Sequence, residues 1–148
     1  MNDRAVRVAV VGVGDFGRNH ARVYRRLEGV EFVGVVDRNS ERARSIADEF
    51  GTGILPDLDS LTGRVEAVSL AVPTSEHARI GCLLLSRGID VLVEKPIAAS
   101  LAEAGGVFRR DDDGFEASRR VGAAPEVSCF VRSHVRADRV RPRAVDVV

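Results

Sequence analysis

Three glycines, Gly12, Gly14 and Gly17, stand in the order G-x-G-x-x-G within VVGVGDFG. A glycine at the first position permits a tight turn off a strand. The second lets backbone approach a pyrophosphate, and the third lets a helix pack closely on the preceding strand. The helix that follows offers unpaired N–H groups and a partial positive charge to phosphate oxygens. Twenty residues past Gly17 comes Asp37, whose carboxylate can accept hydrogen bonds from an adenosine ribose. The pattern predicts a dinucleotide site, and it outweighs the blander reading in which the glycines only mark a strand–helix turn and Asp37 only caps a helix. A carboxylate at Asp37 repels a 2′-phosphate, which favours NAD. Arg38 beside it could pair with that phosphate, so NADP remains the alternative. Asp15 and Phe16, inside the loop, are counted with the cofactor-binding residues, although Asp15 also reads as a solvated acid in a first helical turn.

A second chemical signal is a single residue. Lysine and arginine together number 22, yet Lys95, in DVLVEKPIAAS, is the one lysine. An ammonium is a compact donor whose pKa falls readily on partial burial, so it can share a proton with a reacting oxygen; a guanidinium stays charged. Lys95 is therefore the candidate catalytic residue. The rival reading is that one lysine has to fall somewhere.

The elements that must position these groups alternate regularly from Val6 to about Ala104. VRVAVVGVG, VEFVGVVD, VEAVSLAV and DVLVEKP read as strands, nearly all apolar, as two-sided burial requires. DFGRNHARVYRRLEG reads as a helix with Phe16, His20, Val23 and Leu27 on one face and Gly29 as a stop; NSERARSIADEFG as a helix with Ala43, Ile46, Ala47 and Phe50 on one face; TSEHARIGCLLLSRG as a third helix. TGILPDLDSL reads as a short extended piece and a short helix, and Ser100 with Glu103 as a capping box opening a further helix. The prediction is an α/β fold: a Rossmann doubly wound parallel sheet joined by right-handed crossovers. Ligands in such sheets lie beyond the carboxyl ends of the strands, so AVPTSEH and VEKP should flank the same crevice as the glycine loop.

The domain is expected over residues 1–104. Residues 105–148 change character, with Asp111 to Asp113 in a run, scattered arginines and no sustained period; APEVSCFV could make one strand. They read either as an irregular surface tail or as a stretch where the reading frame departs from an ancestral sequence near Ala104. The second is favoured, because local consistency breaks off just as a helix has begun.

Composition narrows the class. The chain has 148 residues, 45% apolar and 30% charged, with a formal net charge of zero, which gives no pointer to nucleic acid or an anionic membrane. No apolar run is long enough to span a bilayer and no secretory leader is legible, so a cytoplasmic location is expected. Cys82 and Cys129 have no metal-ligand or disulfide spacing, and no metal site is expected. Cys82 reads as a small core residue among Ile80, Leu83 and Leu84, and His20 as a packed, hydrogen-bonded core histidine. His77 reads either as a residue of the turn that opens its helix or as a cofactor contact. His134 lies in no recognisable motif.

The glycine fingerprint, AVPTSEH and above all EKPIA resemble the Gfo/Idh/MocA family of NAD(P)-dependent oxidoreductases over about residues 6–104, with VGVGDFGRNHARVY, VSLAVPTSEH and VLVEKPIA looking most like its sugar-nucleotide branch. The resemblance implies that Glu94, Lys95 and Pro96 match the family's E-K-P, whose lysine reaches the reacting hydroxyl or carbonyl. It also implies that Pro73, Thr74 and His77 border the nicotinamide side of the cleft. By the same resemblance the substrate would be a secondary alcohol of a sugar, sugar nucleotide or cyclitol, and a homo-oligomer would be in keeping. The family's second domain, which supplies most of the sugar pocket, has no counterpart in this sequence, so weak or absent turnover by this chain alone is expected. Two other functions stay open: an NAD-sensing module without catalysis, and an inactive truncated gene product.

Overall fold

The computed structural model describes residues 4–94 and two short strands further on, 115–116 and 129–133. Strand β1 (Val6–Val11) leads into helix α1 (Asp15–Tyr24), β2 (Val30–Val36) into α2 (Ser40–Phe50), and β3 (Gly53–Ile54) into a single 3-10 turn at Asp59–Leu61. Strand β4 (Ala67–Leu70), helix α3 (Thr74–Ser86) and β5 (Asp90–Val93) complete the alternation. The strands are ordered β3-β2-β1-β4-β5 and all five run parallel. The order reverses between β1 and β4, which opens a crevice at the carboxyl ends of those two strands.

Alternate residues of β1 feed opposite cores, the reason its sequence is apolar without a break. Val10 packs with Val35, Ala21, Ala43, Ile46 and Ala47 under α1 and α2. Ala9 and Val11 pack with Val68, Leu70, Val91, Ile80, Leu84 and Leu85 under α3. Helix α2 starts at Asn39, whose side chain accepts the Arg42 N–H at 3.0 Å, and stops at Gly51 in the left-handed region, φ 62°.

Two helix faces differ from expectation. In α1 the buried residues are Gly17 and Ala21, whereas Phe16 and Val23 are exposed. The apolar spacing marked a face that is rotated off the sheet, because Gly17 has to face the sheet for α1 to approach the end of β1. In α3 the buried stripe is His77, Ile80, Gly81, Leu84 and Leu85. Cys82 falls outside it and is exposed, a correction to its reading as a core residue. The helix is apolar over most of its circumference there, so periodicity alone does not mark its inner face.

Past the parallel unit, β6 (Phe115–Glu116) pairs antiparallel with β7 (Cys129–Ser133), and β7 pairs antiparallel with β5 through Val91↔Val131, Leu92↔Phe130 and Val93↔Cys129. Strand β7, which shares only its first three residues with the stretch APEVSCFV expected to form a strand, thus covers an edge of the sheet whose backbone groups need partners. The capping box at Ser100 and Glu103 and the aspartate run at 111–113 lie outside the described residues.

Candidate functional site

The tips of four strands are tied side by side. Gly12 donates its N–H to the Val36 carbonyl at 2.8 Å, Ala71 donates to Val11 at 2.8 Å, and Glu94 donates to Leu70 at 3.1 Å. This brings the glycine loop, the β2–α2 turn, the β4–α3 turn and the end of β5 to one rim, where the sequence placed its candidate residues.

The three glycines have different reasons to be glycine. Gly12 has φ 85°, and a Cβ there would lie 2.6 Å from the Ala71 carbonyl oxygen. A Cβ on Gly17 would lie 1.8 Å from the carbonyl oxygen of Gly12. Both are required by the fold. Gly14 is not: its backbone is ordinary, φ −66° and ψ −163°, and a Cβ would meet nothing within 4 Å. The space in front of Gly14 is open and adjoins the first turn of α1. No side chain caps that helix, so its leading N–H groups are available to an anion.

A groove of about 370 Å³ opens there, lined by Val13, Gly14, Asp15, Arg18, Arg42 and Ile46. Asp37 adjoins it through two of these residues, Val13 and Arg42. One carboxylate oxygen accepts the Val13 N–H at 2.8 Å, the other accepts the Asn39 N–H at 2.8 Å, and the Arg42 guanidinium stands 3.8 Å away. Asp37 therefore locks the glycine loop to the β2–α2 turn. Each oxygen keeps a second lone pair for a further donor. The capping role belongs to Asn39.

Arg18 and Arg42 carry no motif, and sequence reasoning missed them. Their signal was positional: both sit in the first turns of helices whose N-termini meet at the groove. Arg18 pairs with Glu49, donating from Nε at 2.9 Å, and stacks over the Phe50 ring at 5.9 Å. That hydrogen bond holds the Glu49 carboxyl below its usual range. Arg38 points across the crevice and pairs with Glu76 of α3 at 3.0 Å. Glu76 also takes a hydrogen bond from Arg79, and it is this bond that first lowers its pKa, against a smaller opposing effect of desolvation.

On the β4 side, Pro73 precedes α3 and Thr74 opens it. His77 is buried, and its Nε2–H donates to the Val72 carbonyl at 2.8 Å, so the ring holds the turn that follows β4. Phe16 and Asp15 are exposed at the mouth of the glycine loop. Glu94 ends β5 with its carboxylate bonded to Nε2 of His20. Lys95 and Pro96 lie outside the described residues. Among the described residues no cluster of histidine, cysteine, aspartate or glutamate could hold a metal ion, and no helix is long and apolar enough to cross a membrane.

The glycine fingerprint, the uncapped α1 and the acid after β2 thus gather at one rim of a 3-2-1-4-5 sheet. A model of the Gfo/Idh/MocA oxidoreductase family, NAD-binding Rossmann fold, matches residues 6–111. The chain belongs to this family. Among its curated relatives is the UDP-N-acetylglucosamine 3-dehydrogenase of Acidithiobacillus ferrooxidans, 37% identical over 99 residues, a match covering 67% of this chain and 31% of that protein. Its solved structure superposes with a TM-score of 0.65 at 36% identity, over 70% of this chain and 32% of the other. Inositol 2-dehydrogenase 4 of Saccharopolyspora erythraea is 38% identical over 102 residues, 66% of this chain and 30% of that protein. GenD2 from gentamicin A biosynthesis, solved in complex with NAD, superposes with a TM-score of 0.67 at 33% identity, over 71% of this chain and 31% of the other. The chain spans about a third of the length of the relatives it matches, and what it shares with them is the NAD-binding Rossmann part.

Proposed function

We propose that this Gfo/Idh/MocA chain binds NAD as the cofactor part of an oxidoreductase acting on a secondary alcohol of a sugar, sugar nucleotide or cyclitol. One observation carries the cofactor assignment: the fold does not need a glycine at position 14, yet the space in front of Gly14 is kept clear beside an uncapped helix N-terminus. Gly14 and the leading N–H groups at Asp15, Phe16 and Gly17 would hold the diphosphate, and Asp37 the adenosine ribose. Asp37 also favours NAD over NADP, since a carboxylate already fixed by two backbone donors cannot move away from a 2′-phosphate. The cation adjacent in sequence, Arg38, is engaged by Glu76 on the opposite wall.

The nicotinamide ring, when bound, supplies the hydride acceptor or donor. Lys95 is assigned to the reacting oxygen, where an ammonium can share the hydroxyl proton and a guanidinium cannot. Pro73, Thr74, Glu94 and Pro96 are assigned to the nicotinamide side of the cleft, with His77 shaping its β4 wall from within. The match leaves about two thirds of each relative uncovered, and we assign the sugar pocket of a complete enzyme to that portion. The segment 105–148 is proposed as a distinct tail whose β7 closes the β5 edge.

Fluorescence titration with NADH and NADPH tests the cofactor assignment. The expected result is NADH bound at least about tenfold more tightly, the cost of one unfavourable charge contact of roughly 1.4 kcal/mol. NADPH bound equally well or better would overturn the role given to Asp37. For the activity, NAD with a panel of UDP-sugars and inositols should yield little or no NADH with this chain alone; robust turnover would overturn the assignment of the sugar pocket to the uncovered portion.

A further inference from the structure

One cluster of polar side chains lies outside the glycine groove and is not used by the cofactor fingerprint. Tyr24 Oη and Ser69 Oγ are 2.6 Å apart, Ser69 Oγ and His20 Nδ1 are 3.1 Å apart, and His20 Nε2 bonds to Glu94 Oε1. The chain crosses from α1 over the buried β4 residue Ser69 to the end of β5. The chemistry of its members fixes one of these bonds: a carboxylate only accepts, so Nε2 of His20 donates to Glu94, while Nδ1 faces the Ser69 hydroxyl, which shares a second hydrogen bond with Tyr24 Oη. Burial pushes the Tyr24 phenol up, with the Ser69 hydrogen bond pulling the other way.

The sheet order places the far end of this chain. Asp37, just past β2, marks the adenosine side of the β1 tip, so the other half of a dinucleotide extends over the tips of β4 and β5. Glu94 stands at the β5 tip. We propose that His20 is a positioning residue for the cofactor: oriented by Tyr24 and Ser69, it fixes the Glu94 carboxylate on the side of the crevice that takes the nicotinamide ribonucleoside half of NAD. The inference rests on the cofactor assignment above and adds to it a buried part that touches no phosphate. His20 does not contact the reacting atoms; it acts through Glu94.

Two measurements on the full chain test it. In long-range ¹H–¹⁵N spectra of the unliganded protein, His20 should carry a proton on Nε2; a ring protonated at Nδ1 alone would overturn the bond to Glu94 on which the positioning role rests. This reading needs neither a variant nor a ligand. Then NADH and ADP affinities are compared in wild type, His20→Phe and His20→Gln. ADP fills only the adenosine and diphosphate part of the groove, which His20 does not line. His20→Phe should lose about tenfold in NADH affinity, the loss of one charge-assisted hydrogen bond, with ADP affinity within about twofold of wild type. His20→Gln, which can again present an N–H toward Glu94, should recover most of the loss. NADH affinity unchanged in a folded His20→Phe protein would refute the positioning role. A parallel fall for NADH and ADP would refute it too, by showing that His20 only packs α1. Failure of wild type to bind either nucleotide would overturn the cofactor assignment itself, a result told apart from the others because it needs no variant.

Discussion

The unequal reasons for the three glycines predict opposite phenotypes for two identical substitutions. In Gly17→Ala the new methyl would stand 1.8 Å from the Gly12 carbonyl oxygen, more than an ångström inside the roughly 3.0 Å that real Cβ atoms respect. The obstacle is backbone on one side and the buried face of α1 on the other, so the helix must lift off the β1 tip. Overpacking costs about 1–3 kcal/mol where side chains can adjust; against a carbonyl the expectation is the upper end or beyond. Gly14→Ala meets nothing within 4 Å and needs no unusual backbone. Its lower unfolded-state entropy contributes about 0.4–1 kcal/mol, offset by a similar loss from a poorer helix cap. Urea unfolding followed by circular dichroism should therefore leave Gly14→Ala within about 1 kcal/mol of wild type and lower the Gly17→Ala midpoint sharply. NADH titration should give the reverse order for the folded proteins: Gly14→Ala, with a methyl where the diphosphate approaches, loses at least about a hundredfold, or roughly 2.7 kcal/mol. A Gly14→Ala protein that is folded and binds NADH like wild type would remove the observation on which the cofactor assignment stands.

Tyr24 is the one tyrosine and the chain has no tryptophan, so phenolate absorbance reports on it alone. Its midpoint should lie above the free value of about 10, because burial raises it. A raised folded pKa means the folded state holds the proton more tightly, so this contribution to stability is complete below the unfolded value and is lost as pH rises through the folded one. Tyr24→Phe should abolish that alkaline loss, and a midpoint at or below the free value would contradict the burial. Asp37→Ala should cost about 1–3 kcal/mol by leaving the Val13 and Asn39 N–H groups without their acceptor. It should also erase the NADH over NADPH preference; urea unfolding and paired titrations check the two effects separately. A chain ending before Phe115 lacks β7 and exposes the outer edge of β5, so light scattering should detect larger or more heterogeneous assemblies than the full chain forms.

The order of elements, the parallel sheet and the place of the glycine loop were legible in the residues. Strand–helix alternation is written in short unbroken apolar runs and in the local period of 3.6, and glycine punctuates it. The EKP and PTSEH stretches were legible as motifs because each is contiguous. Helix faces were less so: in α1 the apolar spacing pointed to Phe16 and Val23, whereas the small residues Gly17 and Ala21 face the sheet, and in α3 Cys82 read as core because a helix apolar over most of its surface does not reveal which side meets the sheet. Arg42 looked like any surface arginine until the fold set it beside Asp37.

By itself, then, the sequence determined that a doubly wound sheet would form and that an anion would be met at the end of its first strand. Both follow from neighbours within a few residues along the chain. Only the tertiary structure decided which glycines the fold requires and which it does not, since that depends on what stands opposite each missing side chain: the Ala71 carbonyl for one, the Gly12 carbonyl for another, and open space for the third. It alone joined Tyr24, Ser69, His20 and Glu94, partners 45 to 74 residues apart in sequence. Hydrogen bonds reach about 3 Å, and no local pattern records which distant side chains a fold will bring within that reach.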